Sequence, residues 1–473
     1  MSLSDFDTND AILSPLAFTA STQLPDPAQL RIYDSTLRDG EQMPGVAMSP
    51  KQKYRIAEEL SQIGCHIIDV GFPAVSTTER QALQLILDGK LRGAIRPELE
   101  ILVMSRSLPS DIDATIDAIQ EIGFTAREIT LLIFTSASPL HVRQKLGATL
   151  LRQCGIPANE AQTIPFSVLH EANKAMVTEA IRYALDRGVE KVEFGSEDAS
   201  RTPIPLLLDL IQAAVDAGAA RYIFPDTTGS LTPEATRVYA QALSAKFPRI
   251  ELASHFHNDF SLATANVITG ILHGLTTFST TVNGIGERAG NAPLHSVVAS
   301  LKYLYGLEIP GFQYDRLCHL KHVVEDISGI PVQAHEPVIG YNAFAHESGI
   351  HTHGVSINRR MYEPIPYEEV GGTPRFVYGK HSGLHCVSKL LAERGHEIDV
   401  EPCSQLSARV LEEIKATREK TAATGDSAFA VRKYYANLER LGISEEQVLE
   451  IAKSLSEVKA IAASAGEAHG SSK

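Results

Sequence analysis

YIFPDTTGSLTPEATRVYAQALSAKFPRIELASHFHND, residues 222–259, reads as a strand, a helix and a second strand. Residues 222–225 are a short aromatic and β-branched run, and the polar Asp226-Thr227-Thr228-Gly229 that follows marks its end. Residues 233–246 space their apolar side chains as a helix does. Residues 251–255 form the next strand, which ends in His255-Phe256-His257-Asn258-Asp259. Two strands joined through a helix predict a parallel pair.

The unit recurs in both directions. Short apolar runs at 31–34, 66–71, 100–104, 128–133, 191–195, 222–225, 251–255 and 277–283 alternate with amphipathic segments such as 50–63, 111–122, 178–187 and 233–246. Eight alternations predict an α/β fold of the closed (β/α)8 TIM barrel type. A doubly wound open sheet is the runner-up, but no G-x-G-x-x-G follows the first strand. Beyond 305 the pattern changes to a mainly helical C-terminal subdomain. A helix is predicted over 311–329, a long polar loop rich in His and Gly over 338–383, and further helices over 399–417 and 444–458. The division expected is an extended tail at 1–27, a catalytic barrel at 28–305, a linker subdomain at 306–395, a helical subdomain at 396–459 and a flexible tail at 460–473.

A chain of 473 residues suits a barrel with a smaller attachment. Its formal net charge of -14 argues against nucleic acid or an anionic membrane as partner, since either selects a basic face. No apolar run reaches the roughly 18 residues that a spanning helix needs. Asp5, Asp7 and Asp10 stand where a signal peptide carries positive charge. Five cysteines, odd in number and without C-x-x-C spacing, fit reduced thiols in a cytoplasmic setting.

Catalytic groups of such barrels sit at the C-terminal strand ends. The first strand ends in Asp34-Ser35-Thr36-Leu37-Arg38-Asp39-Gly40-Glu41-Gln42 and the seventh in the His-x-His stretch. Alternate strand residues point the same way, so His255 and His257 can converge, and a carboxylate from the first strand completes a mixed N/O set. Such a set suits a divalent ion (Mg, Mn, Zn or Co) acting as Lewis acid. Alone, His-x-His better fits a buried, hydrogen-bonded pair; Arg38-Asp39 at another strand end reverses this and argues for the ion. The eighth strand leads into Asn283-Gly284-Ile285-Gly286-Glu287-Arg288-Ala289-Gly290-Asn291, a turn whose backbone amides can approach a phosphate.

LRDGEQ (37–42), GFP (71–73), HFHND (255–259), NGIGERAGN (283–291), NAFAHESGIH (342–351) and GKHSG (379–383) occur in this order. Over 31–391 the chain resembles the 2-isopropylmalate synthase and homocitrate synthase family of metal-dependent, lyase-like TIM barrels. The resemblance implies an acyltransferase (EC 2.3.3.-) that condenses acetyl-CoA with a small 2-oxo acid. A Claisen-type addition followed by thioester hydrolysis would give a 2-substituted malate plus CoA. It implies Asp39, His255 and His257 as metal ligands with Asn291 close by, Arg38 facing the developing oxyanion, and Glu197 as the active-site glutamate. It further implies Gln42 and Thr227 as substrate contacts, and Asn283, Gly284, Gly286, Glu287, Arg288 and Gly290 as the CoA-binding turn. The loop with His351 and Tyr362 resembles a segment that reaches the neighbouring subunit's barrel mouth and assists proton removal, which implies a homodimer with shared active sites.

Departures from the family pattern bear on the substrate. Asp69 stands where the family usually has glutamate, Gly195 where serine is usual, and Thr130 where a histidine commonly contacts the 2-oxo acid. The last two shrink side chains expected to face the substrate, and predict a bulky or aromatic 2-oxo acid such as phenylpyruvate, with 2-oxoisovalerate as the alternative. Glu193 stands where homocitrate synthases carry an arginine for a distal carboxylate, and would repel a dicarboxylic substrate. The family's leucine-sensing domain is expected to be missing, and with it inhibition by leucine. Two other readings are a 3-hydroxyacyl-CoA lyase, against which the HESGIH and GKHSG segments count, and a non-catalytic metal-binding barrel. The latter predicts loss of at least one of Arg38, Asp39, His255, His257 and Glu197, and all five are present.

Overall fold

The computed structural model describes residues 24–396 and 405–423, with single positions 433 and 447 beyond them. The strands are β1 Arg31–Asp34, β2 Ile67–Asp69, β3 Glu100–Arg106, β4 Thr130–Ser136, β5 Lys191–Glu197, β6 Arg221–Asp226, β7 Glu251–Phe256 and β8 Thr277–Thr280. All are parallel and pair in chain order into a closed barrel, with β8 returning to β1 so that Tyr33 faces Ser279. The barrel is the fold that the eight alternations predict. The helix Pro50–Ile63 shows how local sequence sets the repeat. Ser49 and Gln52 form a capping box at its start, and Gly64 ends it at φ +105°. A Cβ on Gly64 would stand 2.8 Å from the Gly311 carbonyl oxygen, so the turn also needs glycine for space.

Period-two alternation stacks the inward side chains in layers. Charge closes the base: Arg221, fully buried, pairs with Glu193, with Glu100 (2.8 Å) and with Glu251 (3.2 Å). Arg31 and Lys191 bridge the same Glu100 and Glu251 from the rim. Above lies an apolar layer of Tyr33, Ile67, Leu102, Met104, Leu132, Ile223 and Ala253. The polar mouth follows. Thr130 begins β4 and donates to Glu100 at the base (2.8 Å), so the expectation that it faces the substrate is corrected. The cause is strand length: β4 runs to Ser136 rather than stopping at 133, which moves the mouth three residues along the chain. Glu193 is likewise bound to Arg221 below the apolar layer, and the argument that it repels a dicarboxylate falls with that placement.

After Leu294–Tyr305 the predicted helix at 311–329 is shorter. A 3-10 turn at Tyr314–Arg316 precedes the helix Leu317–Ser328, because Gly311 takes φ +77° and Phe312 packs edge-on against Tyr314. Arg316 (2.7 Å) and His319 (3.2 Å) bind the buried Glu59 and dock this segment on the barrel helix Pro50–Ile63. The predicted loop at 338–383 contains a helix, Gly349–Ile357, and a two-stranded parallel ribbon of Ala345–His346 and Arg375–Phe376. Helices Leu384–Glu393 and Gln405–Ala423 follow. Most of the tail expected at 1–27, the helix at 444–458 and the tail at 460–473 lie outside the described residues. Among the described residues no helix is long and apolar enough to cross a membrane.

Candidate active site

Strand ends converge on a cavity of about 320 Å³ at the C-terminal mouth of the barrel. Arg38, Asp39 and Gln42 enter it after β1, Glu197 ends β5, Thr227 follows β6, and His255 and His257 come from β7. Asp39 Oδ2 lies 3.0 Å from His255 Nε2 and 3.7 Å from His257 Nε2. Ser279 Oγ sits 3.0 Å from His255 Nδ1 and orients the ring from behind, leaving Nε2 for the cluster. Burial alone would raise the Asp39 carboxyl, but the Arg38 guanidinium and the two imidazoles hold it well below the usual carboxylate range. Burial, reinforced by His255, pushes His257 down to about 4. The cluster therefore presents a carboxylate and a neutral imidazole, the states in which these groups bind metal.

The donors fit a divalent ion. One potential ligand atom from each of Asp39, His255 and His257 lies within 4.8 Å of the others. Asn291 Oδ1 is buried without a hydrogen-bond partner, and its backbone bridges to His257. At Gly286 a Cβ would stand 2.2 Å from Asn291 Nδ2 and 3.2 Å from Asp39 Oδ1, so glycine lets this loop close on the cluster. Two imidazoles, a carboxylate and a spare amide oxygen form a mixed N/O set that leaves coordination positions open.

Arg38 is clamped from two sides: Nη1 donates to Asp39 (3.0 Å) and Nε to Asp69 (2.7 Å). Asp69 is fully buried and also accepts from Ser35 Oγ (3.1 Å) and the Gly71 amide (3.1 Å). Its expected contact with substrate is thus corrected: it acts on the cavity through Arg38. The opposite wall is apolar, made by Phe72, Met104, Leu132, Phe134, Gly195 and Ile223. Phe72 and Phe134 meet edge to face at 6.0 Å. A Cβ on Gly195 would come within 3.2 Å of both Leu132 and Ile223. The space that glycine frees is therefore taken up largely by these two side chains.

The turn after β8 frames a second cleft of about 510 Å³ beside the first. Asn283, Gly284, Gly286, Arg288 and Gly290 line it, Arg288 also lines the first cavity, where Glu287 sits as well, and residues 330–333 wall its far side. Asn283 (φ 59°) and Arg288 (φ 55°) hold the left-handed conformation. Arg288 is tied to Asp259 (2.9 Å) and to the Thr227 carbonyl (2.6 Å), which ties the two cavities together. His351 and Tyr362 are not among the lining residues of either cavity. Their rings stack on each other at 4.2 Å, and both side chains are exposed. Sequence reasoning missed the apolar wall. Inward alternation from Gly195 across to β4 would have found Leu132 and Phe134 had that strand's end been placed correctly.

The HMGL-like family model matches residues 29–324, and the model described as homocitrate synthase post-HMGL domain-like matches 338–422. The 2-isopropylmalate synthase of Sulfolobus acidocaldarius is 38% identical over 408 residues, 85% of this chain and 95% of that protein. The 2-isopropylmalate synthase of Saccharolobus solfataricus is 39% identical over 78% of this chain and 86% of its own. Homocitrate synthase AksA of Methanopyrus kandleri is 36% identical over 88% of this chain and 94% of its own.

Proposed function

Since the chain belongs to the HMGL-like family, we propose that it condenses acetyl-CoA with a 2-oxo acid, giving a 2-substituted malate and free CoA. The observation that carries this reading is the cavity itself: a metal-competent Asp39–His255–His257 cluster, a clamped Arg38 and the Glu197 carboxylate face one apolar wall. The names of the relatives, 2-isopropylmalate synthase and homocitrate synthase, support it.

Asp39, His255 and His257 would hold a divalent ion, which would supply Lewis-acid polarisation of a carbonyl oxygen. Arg38, fixed by Asp39 and Asp69, offers a permanent, oriented cation to the oxyanion that forms as the carbon–carbon bond is made. Glu197 takes the proton of the thioester methyl, and the resulting carbanion equivalent adds to the keto carbon. Gln42 and Thr227 contact the 2-oxo acid from the polar side. The glycine-rich turn with Arg288 holds the CoA phosphates, and water then cleaves the thioester. His351 and Tyr362, unused by their own barrel, serve the mouth of a second subunit in a homodimer. The exposed Ile350, Ile357 and Met361 around them support such a contact.

The substrate proposed is a monocarboxylic 2-oxo acid with a bulky apolar or aromatic side chain, such as phenylpyruvate; with Thr130 at the base and the space beside Gly195 filled, the aromatic Phe72–Phe134 wall is what supports this reading. Among the described lining residues the cations are Arg38 and Arg288, both on the polar side, so nothing on the apolar wall would pair with a second carboxylate. The names of the relatives favour 2-oxoisovalerate as the second reading. Release of CoA thiol across a panel of 2-oxo acids tests the assignment. Highest kcat/KM with phenylpyruvate is expected. Preference for 2-oxoisovalerate overturns the size assignment, and preference for 2-oxoglutarate overturns the apolar one.

A further inference from the structure

The two oxygens of Glu197 have different surroundings. Oε2 accepts from Lys145 Nζ (2.7 Å) and from Ser136 Oγ (2.7 Å). Oε1 lies 3.8 Å from His141 Nδ1, beyond hydrogen-bond distance, and that nitrogen is buried without a partner. Lys145 comes from a π-helical turn, Val142–Leu146, set between Pro139–His141 and Gly147–Gln153. Such turns add a residue to the helical cycle, re-aim side chains and recur at functional sites. Here the turn carries a half-exposed lysine to a carboxylate in the cavity wall.

We infer that Lys145 is a positioning residue for the reaction: with Ser136 it occupies Glu197 Oε2, fixes the carboxylate's orientation and leaves Oε1 to accept the proton. The inference rests on the role given to Glu197 in the proposed condensation. Burial acts to raise the Glu197 carboxyl, and the hydrogen bonds from Lys145 and Ser136, with the nearby His141, bring it below its ordinary value. The other charged neighbours are already engaged. Asp198 is bound by Arg201 Nε (2.6 Å) and by Ser138, and Arg201 Nη2 stands 3.3 Å from His141 Nε2. Across the cavity Arg38, His255, His257 and Arg288 face the same space. Among the described residues Lys145 is thus the cation in direct contact with Glu197. Its exposure lets it be replaced without opening the core.

The test compares wild type, Lys145→Met and Lys145→Arg in the full chain by two readouts. Carboxyl NMR of labelled glutamate, assigned with Glu197→Gln, follows the titration of Glu197 without turnover. Steady-state thiol release gives kcat, KM and the pH profile. Lys145→Met is expected to move the Glu197 midpoint and the acidic limb of kcat upward together. It should lower kcat at neutral pH by up to about fivefold, as for a partly exposed ion pair, and leave the KM for acetyl-CoA within about twofold. Lys145→Arg is expected to restore all three. An unmoved midpoint, failure of arginine to restore it, or a change confined to KM overturns the inference. A midpoint that moves in Lys145→Met, alongside a wild type that releases no CoA with any 2-oxo acid, overturns the condensation reading while leaving the Lys145–Glu197 coupling in place.

Discussion

Replacing Asp69 with asparagine keeps the volume of a fully buried side chain and removes its charge. Three donors converge on this carboxylate: Arg38 Nε at 2.7 Å, Ser35 Oγ at 3.1 Å and the Gly71 amide at 3.1 Å. An amide has only one acceptor oxygen, so whichever way it flips, its NH₂ faces at least one of these donors. The favourable flip keeps the oxygen toward Arg38 and leaves the Gly71 amide unsatisfied. A hydrogen bond to a charged group contributes about 1.5–3 kcal/mol. Because the oxygen stays on Arg38, that contact loses its charge assistance, about half of this contribution, and kcat/KM drops about fourfold to tenfold. Arg38→Lys, which keeps the charge without the two-sided fork, is expected to lose a comparable amount. Thiol-release kinetics, alongside thermal unfolding to register any loss of fold, decide the matter. An Asp69→Asn protein within twofold of wild-type kcat/KM at unchanged Tm would refute the claim that Asp69 acts through Arg38.

Arg221→Met strands the buried Glu193 among carboxylates and should destabilise the chain by about 3–5 kcal/mol in urea unfolding. The KM values should stay near wild type, because the network closes the far end of the barrel. Burial works to raise Glu100 and Glu251, but Arg221 and the flanking Lys191 hold both carboxyls below the ordinary range. Their contribution is therefore complete above the unfolded value of about 4.3 and is lost as pH falls through the lower folded values. A urea midpoint that falls on acidification in wild type and less steeply in Arg221→Met is the expected record. Manganese or zinc at about 100 times its Kd should raise stability by roughly 2.7 kcal/mol, an effect that His257→Ala removes and a chelator reverses. Mixing inactive Glu197→Gln with inactive His351→Ala should regain about a quarter of wild-type activity if sites are shared across a twofold dimer, and none if each subunit is self-sufficient.

The barrel was legible because its signal is local and repeated. Helix caps such as Ser49–Gln52 and apolar runs spaced by helical segments carry the alternation without knowledge of any long-range contact. The polar strand ends were legible for the same reason, since Arg38-Asp39 and His255-x-His257 stand where short strands stop. What lines the cavity opposite them was not. A strand extended by two or three residues at its end changes the height of every inward side chain, and β4 ending at Ser136 exchanged Thr130 for Leu132 and Phe134. The clamp of Asp69 on Arg38, the burial of Glu193 under Arg221 and the reach of Lys145 to Glu197 join residues 28 to 52 positions apart in the chain. Sequence alone thus determined the barrel and which strand ends carry polar chemistry, because both follow from local periodicity. The tertiary structure decided which side chains meet, because barrel closure sets the register between distant strands.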